Sequence, residues 1–139
     1  MVSKIKGDIT ELTVMLQAIN SGIVVSVPHG DYHKYDQIWD IDNKLFRIQV
    51  KTARQKSKYP NIIFNCYSVV NGKKYKYTKQ DIDYFVTVYQ NEVYVVPVEQ
   101  CSLEKTLWLS IPAEFESQKD RLTLAEDYTL TKRLESFKK

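Results

Sequence analysis

Residues 45–53 read LFRIQVKTA, and this stretch decides the fold because its apolar and polar residues alternate. An alternation with a period of two predicts a strand with one buried face. Side chains two positions apart point to the same face of a strand. Gln49 and Lys51 are therefore expected to project together, away from the side of the strand that packs on the core.

An acidic residue, Asp36, begins the preceding strand-like segment, residues 35–41. The alternation there places Asp36 and Asp40 on one face, and Asp36 is the one expected to face the site. The link at residues 42–44, Asp-Asn-Lys, has the composition of a hairpin turn. The hairpin would make the two strands antiparallel and bring residues near Asp36 across from those near Gln49.

A second acidic residue, Glu11, lies on a predicted helix from about residue 5 to residue 20. Apolar residues at steps of three and four form one stripe along this helix: Ile5, Ile9, Leu12, Leu16 and Ile19. Glu11 lies beside the stripe and not opposite it, so we expect it to reach the edge of the sheet. Without a motif around it, Glu11 would be interpreted as an ordinary surface carboxylate. Two carboxylates, an amide and an ammonium form a candidate magnesium site.

The set Glu11, Asp36 and Gln49-x-Lys51, in this order and at these spacings, resembles the active-site set of the PD-(D/E)XK nuclease superfamily. The resemblance covers roughly the first two thirds of the chain. It is greatest to small single-domain members, which include Holliday-junction resolvases and group I intron homing endonucleases. It implies an α/β (α+β) fold with a restriction-endonuclease-like core, a central mixed β-sheet flanked by helices, and one domain over residues 1–139.

The resemblance also implies roles for the four residues. Asp36 would coordinate Mg²⁺ directly, Glu11 would hold it directly or through water, and Mn²⁺ could substitute. Gln49 stands where most members carry Glu or Asp, and some homing endonucleases of this class are similar in having Gln there. It would offer a neutral oxygen ligand or orient a water molecule. Lys51 would position the attacking water or stabilise the transition state.

The function that the resemblance implies is magnesium-dependent hydrolysis of phosphodiester bonds in double-stranded DNA. Gln49 and the segment at residues 73–79, which is rich in lysine and tyrosine, favour a sequence-specific homing endonuclease. One site cuts one strand, so a double-strand break requires a homo-oligomer, a dimer or a tetramer. Two alternatives are a Holliday-junction resolvase, which would bind DNA by its shape, and a non-catalytic DNA-binding protein with a decayed site.

Basic residues are clustered, although the net charge of +3 is too small to indicate DNA binding by itself. Neutralisation of phosphates dominates DNA affinity, and such clusters suit it. The predicted DNA-binding residues are His33, Lys34, Arg54, Lys56, Lys58, Lys73, Lys74, Tyr75 and Lys76. The turn signal Asn71-Gly72 predicts a hairpin whose second arm carries the lysines and could enter the major groove. A solvated, flexible loop explains the same lysine run equally well.

Length and composition limit the class of protein. A chain of 139 residues with 43% hydrophobic and 27% charged residues fits a single globular domain with its own core. It has no apolar run of membrane-spanning length and no signal peptide, so we expect no membrane partner. Cys66 and Cys101 are predicted to be buried free thiols. The expected location is the bacterial cytoplasm, on DNA.

Further strands are predicted along the rest of the chain. Residues 23–27 should form a buried strand, because the run is almost entirely apolar. Residues 61–66, 84–89 and 93–98 are also predicted strands, and Asp83 should be structural rather than catalytic. A last short helix is expected to begin with Thr131 as its cap.

Overall fold

The structure is a computed structural model that describes residues 2–137. The described residues form two α-helices and ten strands, with 3₁₀ turns near the C-terminus. The elements are α1 (Ser3–Asn20), β1 (Val24–Ser26), β2 (Gln37–Ile41), β3 (Lys44–Val50), β4 (Arg54–Gln55), β5 (Asn61–Asn65), β6 (Tyr67–Val70), β7 (Lys73–Lys76), β8 (Tyr84–Tyr89), β9 (Glu92–Pro97), β10 (Glu104–Trp108) and α2 (Leu130–Phe137).

The central sheet has the strand order β1-β2-β3-β8-β9. Strand β3 lies at its middle, antiparallel to β2 and parallel to β8, so the sheet is mixed as predicted. The predicted turn between β2 and β3 is present, and Asp42 and Asn43 adopt φ angles of 52° and 67°. Two successive residues with positive φ form the turn that suits the twist of a two-residue hairpin.

Two smaller sheets lie beside the central one. The first is antiparallel, with the order β10-β5-β4. The second consists of β6 and β7 alone, and we call residues 67–76 the basic ribbon. Its turn is Asn71-Gly72, with φ angles of 51° and 80°. The hairpin predicted from that dipeptide is therefore confirmed.

Each face of the central sheet covers a separate core. On one face, Ile48 and Val50 of β3 pack with residues of α1 and with Leu130 of α2. On the other face, strands β8 and β9 pack against β5 and β10 through residues such as Phe85 and Phe64. Because Ile48 and Val50 face the helices, Gln49 and Lys51 face the opposite side, as the alternation predicted.

The stripe of large apolar residues on α1 faces away from the sheet, which corrects the orientation assumed from the sequence. Val14 and Ala18 are fully buried and Thr10 is nearly so, whereas Leu12 and Leu16 are mostly exposed. Small side chains let the helix axis approach the sheet closely. Periodicity identifies an apolar stripe on a helix but does not show which face packs on the core. On this helix, the face with the smaller residues packs on the core.

Two predictions near the chain ends are also corrected. Strand β1 is not a buried strand over residues 23–27: it is a three-residue edge strand, and Val24 is 64% exposed. An edge strand has only one neighbour, here β2, so its side chains are covered less. The final helix begins at Leu130 and its cap is Thr129, not Thr131, since Thr129 Oγ1 accepts from the backbone N–H of Lys132 at 3.4 Å.

Both cysteines are buried and unpaired, as predicted. Cys66 follows β5 and Cys101 precedes β10, and both belong to the core between the sheets. The side-chain hydrogen bond with Cys101 raises the pKa of the Cys66 thiol, and burial raises it further. The thiol of Cys66 is therefore held in its neutral form.

Candidate active site

The backbone at the end of β3 fixes the carboxylate of Asp36. The N–H of Asp36 donates to the carbonyl of Ile48 at 2.7 Å, and the N–H of Val50 donates to Oδ2 of Asp36 at 2.9 Å. Gln37 pairs with Ile48, so one further step of the same register sets Asp36 opposite Gln49. Asp36 and Gln49 thus share one face of the sheet, as the sequence predicted.

Burial and neighbours act in opposite directions on the Asp36 carboxyl. Its pKa is raised, mainly because burial disfavours the charged form. The hydrogen bond from Val50 and the positive charge of Lys51 lower the pKa and limit the rise. The carboxylate is therefore held in a partly dry position by one backbone donor and one cation.

Lys51 follows β3 and reaches under the basic ribbon. Its Nζ donates to the carbonyl oxygen of Tyr67 at 3.1 Å and lies 5.3 Å from the ring centroid of Tyr77. Burial lowers the pKa of Lys51, while the charge of Asp36 raises it. One of the three ammonium protons is used by Tyr67, which leaves two for a substrate or a water molecule.

Helix α1 brings Glu11 to the edge of the sheet, as expected. The carbonyl of Glu11 accepts from Nε2 of Gln37 at 2.9 Å, and Trp39 Nε1 donates to the other end of the Gln37 amide at 3.0 Å. The hydroxyls of Thr10 and Thr52 lie 3.1 Å apart and join the helix to the end of β3. These buried contacts fix the position of Glu11 relative to the strands.

The carboxyl of Glu11 is strongly perturbed. Its pKa is raised to about 7, first by burial and then by the negative charges of Asp36 and Asp8. Two carboxylates that share a site disfavour each other's ionisation. Such a pair is stabilised when a cation lies between them.

Glu11 and Asp36 line two adjoining clefts, of about 270 Å³ and 390 Å³. His33 lines the first of these, so this predicted DNA-binding residue lies next to the carboxylates. Its ring packs between Tyr32 and Tyr35, with centroids 4.5 Å and 5.5 Å away. His33, Tyr35 and the two carboxylates therefore line one cleft.

The oxygen atoms that could hold a metal ion come from Glu11, Asp36 and Gln49. Within residues 2–137, no group of three or more His, Cys, Asp or Glu side chains is arranged to bind a metal. A metal at this site would therefore take two carboxylates and complete its shell with the Gln49 amide oxygen or with water. Mg²⁺ prefers oxygen donors and retains several waters, so this donor set suits it.

The basic ribbon presents its predicted DNA-binding residues to solvent. All four residues of β7, from Lys73 to Lys76, are exposed. Lys74 Nζ lies 4.6 Å from the ring centroid of Tyr67, the residue whose carbonyl holds Lys51. The ribbon is therefore adjacent to the candidate site at its base and free at its tip.

The predicted DNA-binding residues outside the basic ribbon, other than His33, do not line the two clefts of Glu11 and Asp36. Lys34 forms an ion pair with Asp81 at 3.7 Å. Arg54 is exposed on β4, and Lys58 stacks on the ring of Tyr59 at 5.3 Å. Lys56 donates to Thr106 at 3.3 Å and lines a separate cleft of about 620 Å³. That cleft also contains Lys76, so cations on β7 and after β4 lie along one surface.

Three residues around the site were not predicted. Gln37 is buried and links Glu11 to Trp39. The sequence feature that could have identified it is a polar residue at a core position, because a buried amide needs hydrogen-bond partners. Tyr67, the first residue of the basic ribbon, and Tyr77, directly after its last residue, contact Lys51, and no local pattern marks them. The structural role predicted for Asp83 agrees with its contact, since its Oδ2 accepts from the N–H of Arg47 at 2.8 Å.

Comparisons with known proteins identify the family and the fold. A family model described as PD-(D/E)XK endonuclease matches residues 1–131. A solved structure titled "The structure of a bacterial homing endonuclease: I-Ssp6803I" superposes with a TM-score of 0.70 at 24% identity, covering 96% of this chain and 90% of that chain. The search of curated proteins found no match. The predicted fold is therefore confirmed.

The described residues contain no helix that is both long enough and apolar enough to cross a membrane. The family match spans nearly the whole chain, and so includes Glu11 on α1, Asp36 directly before β2, Gln49 on β3 and Lys51 directly after β3. The chain belongs to the PD-(D/E)XK endonuclease family and is an endodeoxyribonuclease.

Proposed function

We propose that this enzyme is a magnesium-dependent, sequence-specific DNA endonuclease of the homing type, which makes double-strand breaks as a homo-oligomer. The observation that carries the proposal is the convergence of Asp36, Gln49 and Lys51 on one face of the sheet, with Glu11 at its edge. The catalytic unit is residues 1–139 as a single domain. Its two unpaired cysteines and its DNA substrate support action in the bacterial cytoplasm.

The carboxylate pair supports the metal assignment. Nucleases of this family generally use divalent metal ions. The charge of Asp36 helps to raise the Glu11 pKa to about 7, and a divalent cation bound between the two groups would remove that repulsion. Glu11, Asp36 and Gln49 would hold the ion. When bound, Mg²⁺ supplies charge neutralisation at the scissile phosphate and lowers the pKa of a coordinated water.

Lys51 provides the cation that the protein itself contributes. Its ammonium is partly buried, and Tyr67 and Tyr77 restrict its position. A fixed positive charge in a dry site stabilises developing negative charge more strongly than a solvated one. Lys51 would donate hydrogen bonds through its two remaining N–H groups to a phosphate oxygen and to the attacking water, and so orient both groups.

Asp36 has a role beyond metal binding. The backbone N–H of Val50 donates to Oδ2 of Asp36, which leaves Oδ1 to accept a further contact. A carboxylate held in this way does not need to reorganise when the substrate binds. Gln49, opposite it, would present an amide that can accept from water or bind a cation through oxygen.

The basic ribbon supports DNA recognition. A two-stranded ribbon fits the major groove, where lysine side chains can contact guanine edges. Lys73, Lys74 and Lys76 are exposed along β7, next to Tyr75, which is 47% exposed. The ribbon is connected through Tyr67 to Lys51, so binding along it would place the DNA backbone near the site.

Magnesium-dependent cleavage of a random-sequence DNA library, with the cut ends sequenced, tests the proposal. The wild-type protein should cut at one recurring, roughly palindromic sequence, and the Lys51→Ala variant measures the background. Cleavage of a four-way junction in preference to linear duplex would assign the enzyme as a resolvase instead. Binding without cleavage of either substrate would identify a DNA-binding protein with a decayed site.

A further inference from the structure

Helix α1 has two apolar faces of different character. The face toward the sheet consists of small or medium residues, Thr10, Val14 and Ala18, which are buried. The opposite face carries large aliphatic residues that are between 48% and 65% exposed. These residues, which we call the outer seam, are Val2 at the N-cap and, within the helix, Ile5, Ile9, Leu12, Leu16 and Ile19. A helix that exposes its larger apolar face lacks a partner for that face.

The spacing of the outer seam is that of a coiled coil. Its steps alternate between three and four residues from Val2 to Ile19 without interruption, which fills the a and d positions of consecutive heptads. The seam runs the length of a helix of 18 residues, about 27 Å at 1.5 Å per residue. A heptad seam packs best on another helix with the same repeat, and a second copy of this chain provides one.

We propose that two copies of this endonuclease pair through the outer seams of their α1 helices. The need for a second copy rests on the proposed double-strand cleavage, whereas the surface follows from the exposure and spacing of these residues. When the same surface on two copies forms the contact, the result is a closed dimer with two-fold symmetry. The outer seam does not include the basic ribbon, so each copy keeps its ribbon available for DNA.

The pairing is antiparallel. In that orientation the seam is complementary to itself: Val2 meets Ile19 of the other copy, Ile5 meets Leu16, and Ile9 meets Leu12. Every seam residue then has an apolar partner, and the two-fold axis crosses the helices between residues 10 and 11. The same axis lies next to Glu11, so the dimer would support the helix that positions this carboxylate.

Charge distribution favours the antiparallel orientation. Lys4 and Lys6 lie at the start of α1, where no acidic residue occupies the first turn, and the last turn has no basic residue. A parallel pair would bring the lysines of both copies together and align the two helix dipoles unfavourably. The antiparallel pair instead places each lysine end beside the uncharged end, near Gln17 and Asn20, of the other helix.

The molar mass in solution tests the surface without DNA or metal, so its result does not depend on the catalytic proposal. The wild-type protein should sediment at a multiple of its 16.3 kDa chain mass. The double substitution Ile5→Lys with Leu16→Lys should halve that mass, because it sets lysine against lysine twice in each pair. Both positions are exposed in the single chain, so the variant should retain its circular dichroism spectrum and melt cooperatively.

A matched control replaces two exposed leucines elsewhere, Leu45→Lys with Leu103→Lys, and should leave the mass unchanged. A wild-type protein that is monomeric at micromolar concentration would overturn the proposal. So would an assembly that survives the seam substitutions. Should the double variant not fold, Leu16→Lys alone provides the same comparison.

Cysteine cross-linking tests the orientation. A chain carrying both Ile5→Cys and Leu16→Cys should form covalent dimers under a mild oxidant, since these residues meet across the antiparallel pair. The chain that carries Ile5→Cys alone should not form covalent dimers, because residue 5 of one copy and residue 5 of the other lie at opposite ends of the helix pair. The native cysteines are buried and do not interfere. Efficient cross-linking by the single variant would contradict the antiparallel pairing.

Discussion

The ammonium of Lys51 donates to the carbonyl oxygen of Tyr67 at 3.1 Å, which joins the candidate catalytic strand to the base of the basic ribbon. The ring of Tyr77 closes the other side, with its centroid 5.3 Å from the same nitrogen. Tyr67 is the first residue of the ribbon, the segment proposed to bind DNA, and Tyr77 directly follows its last residue. The geometry of Lys51 is therefore coupled to the position of the ribbon.

The ring of Tyr77 is expected to position Lys51. Tyr77→Leu should lower kcat roughly tenfold, which corresponds to about 1.4 kcal/mol and lies in the range of a desolvated cation–π contact. Tyr77→Phe keeps the ring and should restore the rate. Single-turnover cleavage, with thermal melts of both variants, separates positioning from stability. Equal rates for the Leu and Phe variants would argue against the role of the ring.

Glu11→Gln should weaken magnesium binding. It removes one of the two carboxylates that share the site, where burial and then the charges of Asp36 and Asp8 raise the Glu11 pKa to about 7. The Mg²⁺ concentration for half-maximal cleavage should rise roughly 10- to 100-fold, the range found when groups that support a metal site are lost. The matched control is Glu92→Gln, which removes an exposed carboxylate at the start of β9. If both variants shift the magnesium dependence equally, Glu11 is not a ligand.

Gln49→Glu should have the opposite effect. It adds a third carboxylate opposite Asp36, on the face where the metal is proposed to bind. The Mg²⁺ concentration for half-maximal cleavage should fall, because hard cations are bound more strongly as the ligand charge increases. Gln55→Glu, an exposed position on β4, controls for the added charge. An unchanged magnesium dependence would place Gln49 outside the metal shell.

The prediction of the site succeeded where it depended on local alternation. The period of two in β3 and the turn at Asp42-Asn43 were sufficient to place Asp36, Gln49 and Lys51 on one face, because a hairpin fixes strand register. The basic ribbon followed equally from Asn71-Gly72. These features need only neighbouring residues, so the sequence carries them directly.

The prediction failed for the orientation of helix α1, because two of its faces are apolar enough to pack on the sheet. Helix α1 has a large apolar stripe and a small one, and only the tertiary structure shows that the small one meets the sheet. The contacts of Lys51 with Tyr67 and Tyr77 span 16 and 26 residues of sequence and depend on how the ribbon folds back. No periodic pattern encodes such long-range contacts.

The basic ribbon is expected to supply DNA affinity. Lys74→Ala with Lys76→Ala should weaken binding and reduce the slope of log affinity against log salt concentration by about two, since each lysine is proposed to neutralise one phosphate. Fluorescence anisotropy over a range of salt concentrations measures both quantities. Lys119→Ala with Lys132→Ala removes two exposed cations elsewhere and should leave binding unchanged. An unaltered slope in the ribbon variant would exclude the ribbon from the interface.

The most direct measurement compares cleavage and DNA binding for Asp36→Ala and Lys51→Ala at saturating magnesium. Asp40→Ala and Lys44→Ala are the matched controls, because they remove the same charges from the same hairpin, away from the site. Both site variants should lose at least about 100-fold in cleavage rate while they still bind DNA, and both controls should cut normally. Cleavage at the wild-type rate by either site variant would contradict the assignment of the active site.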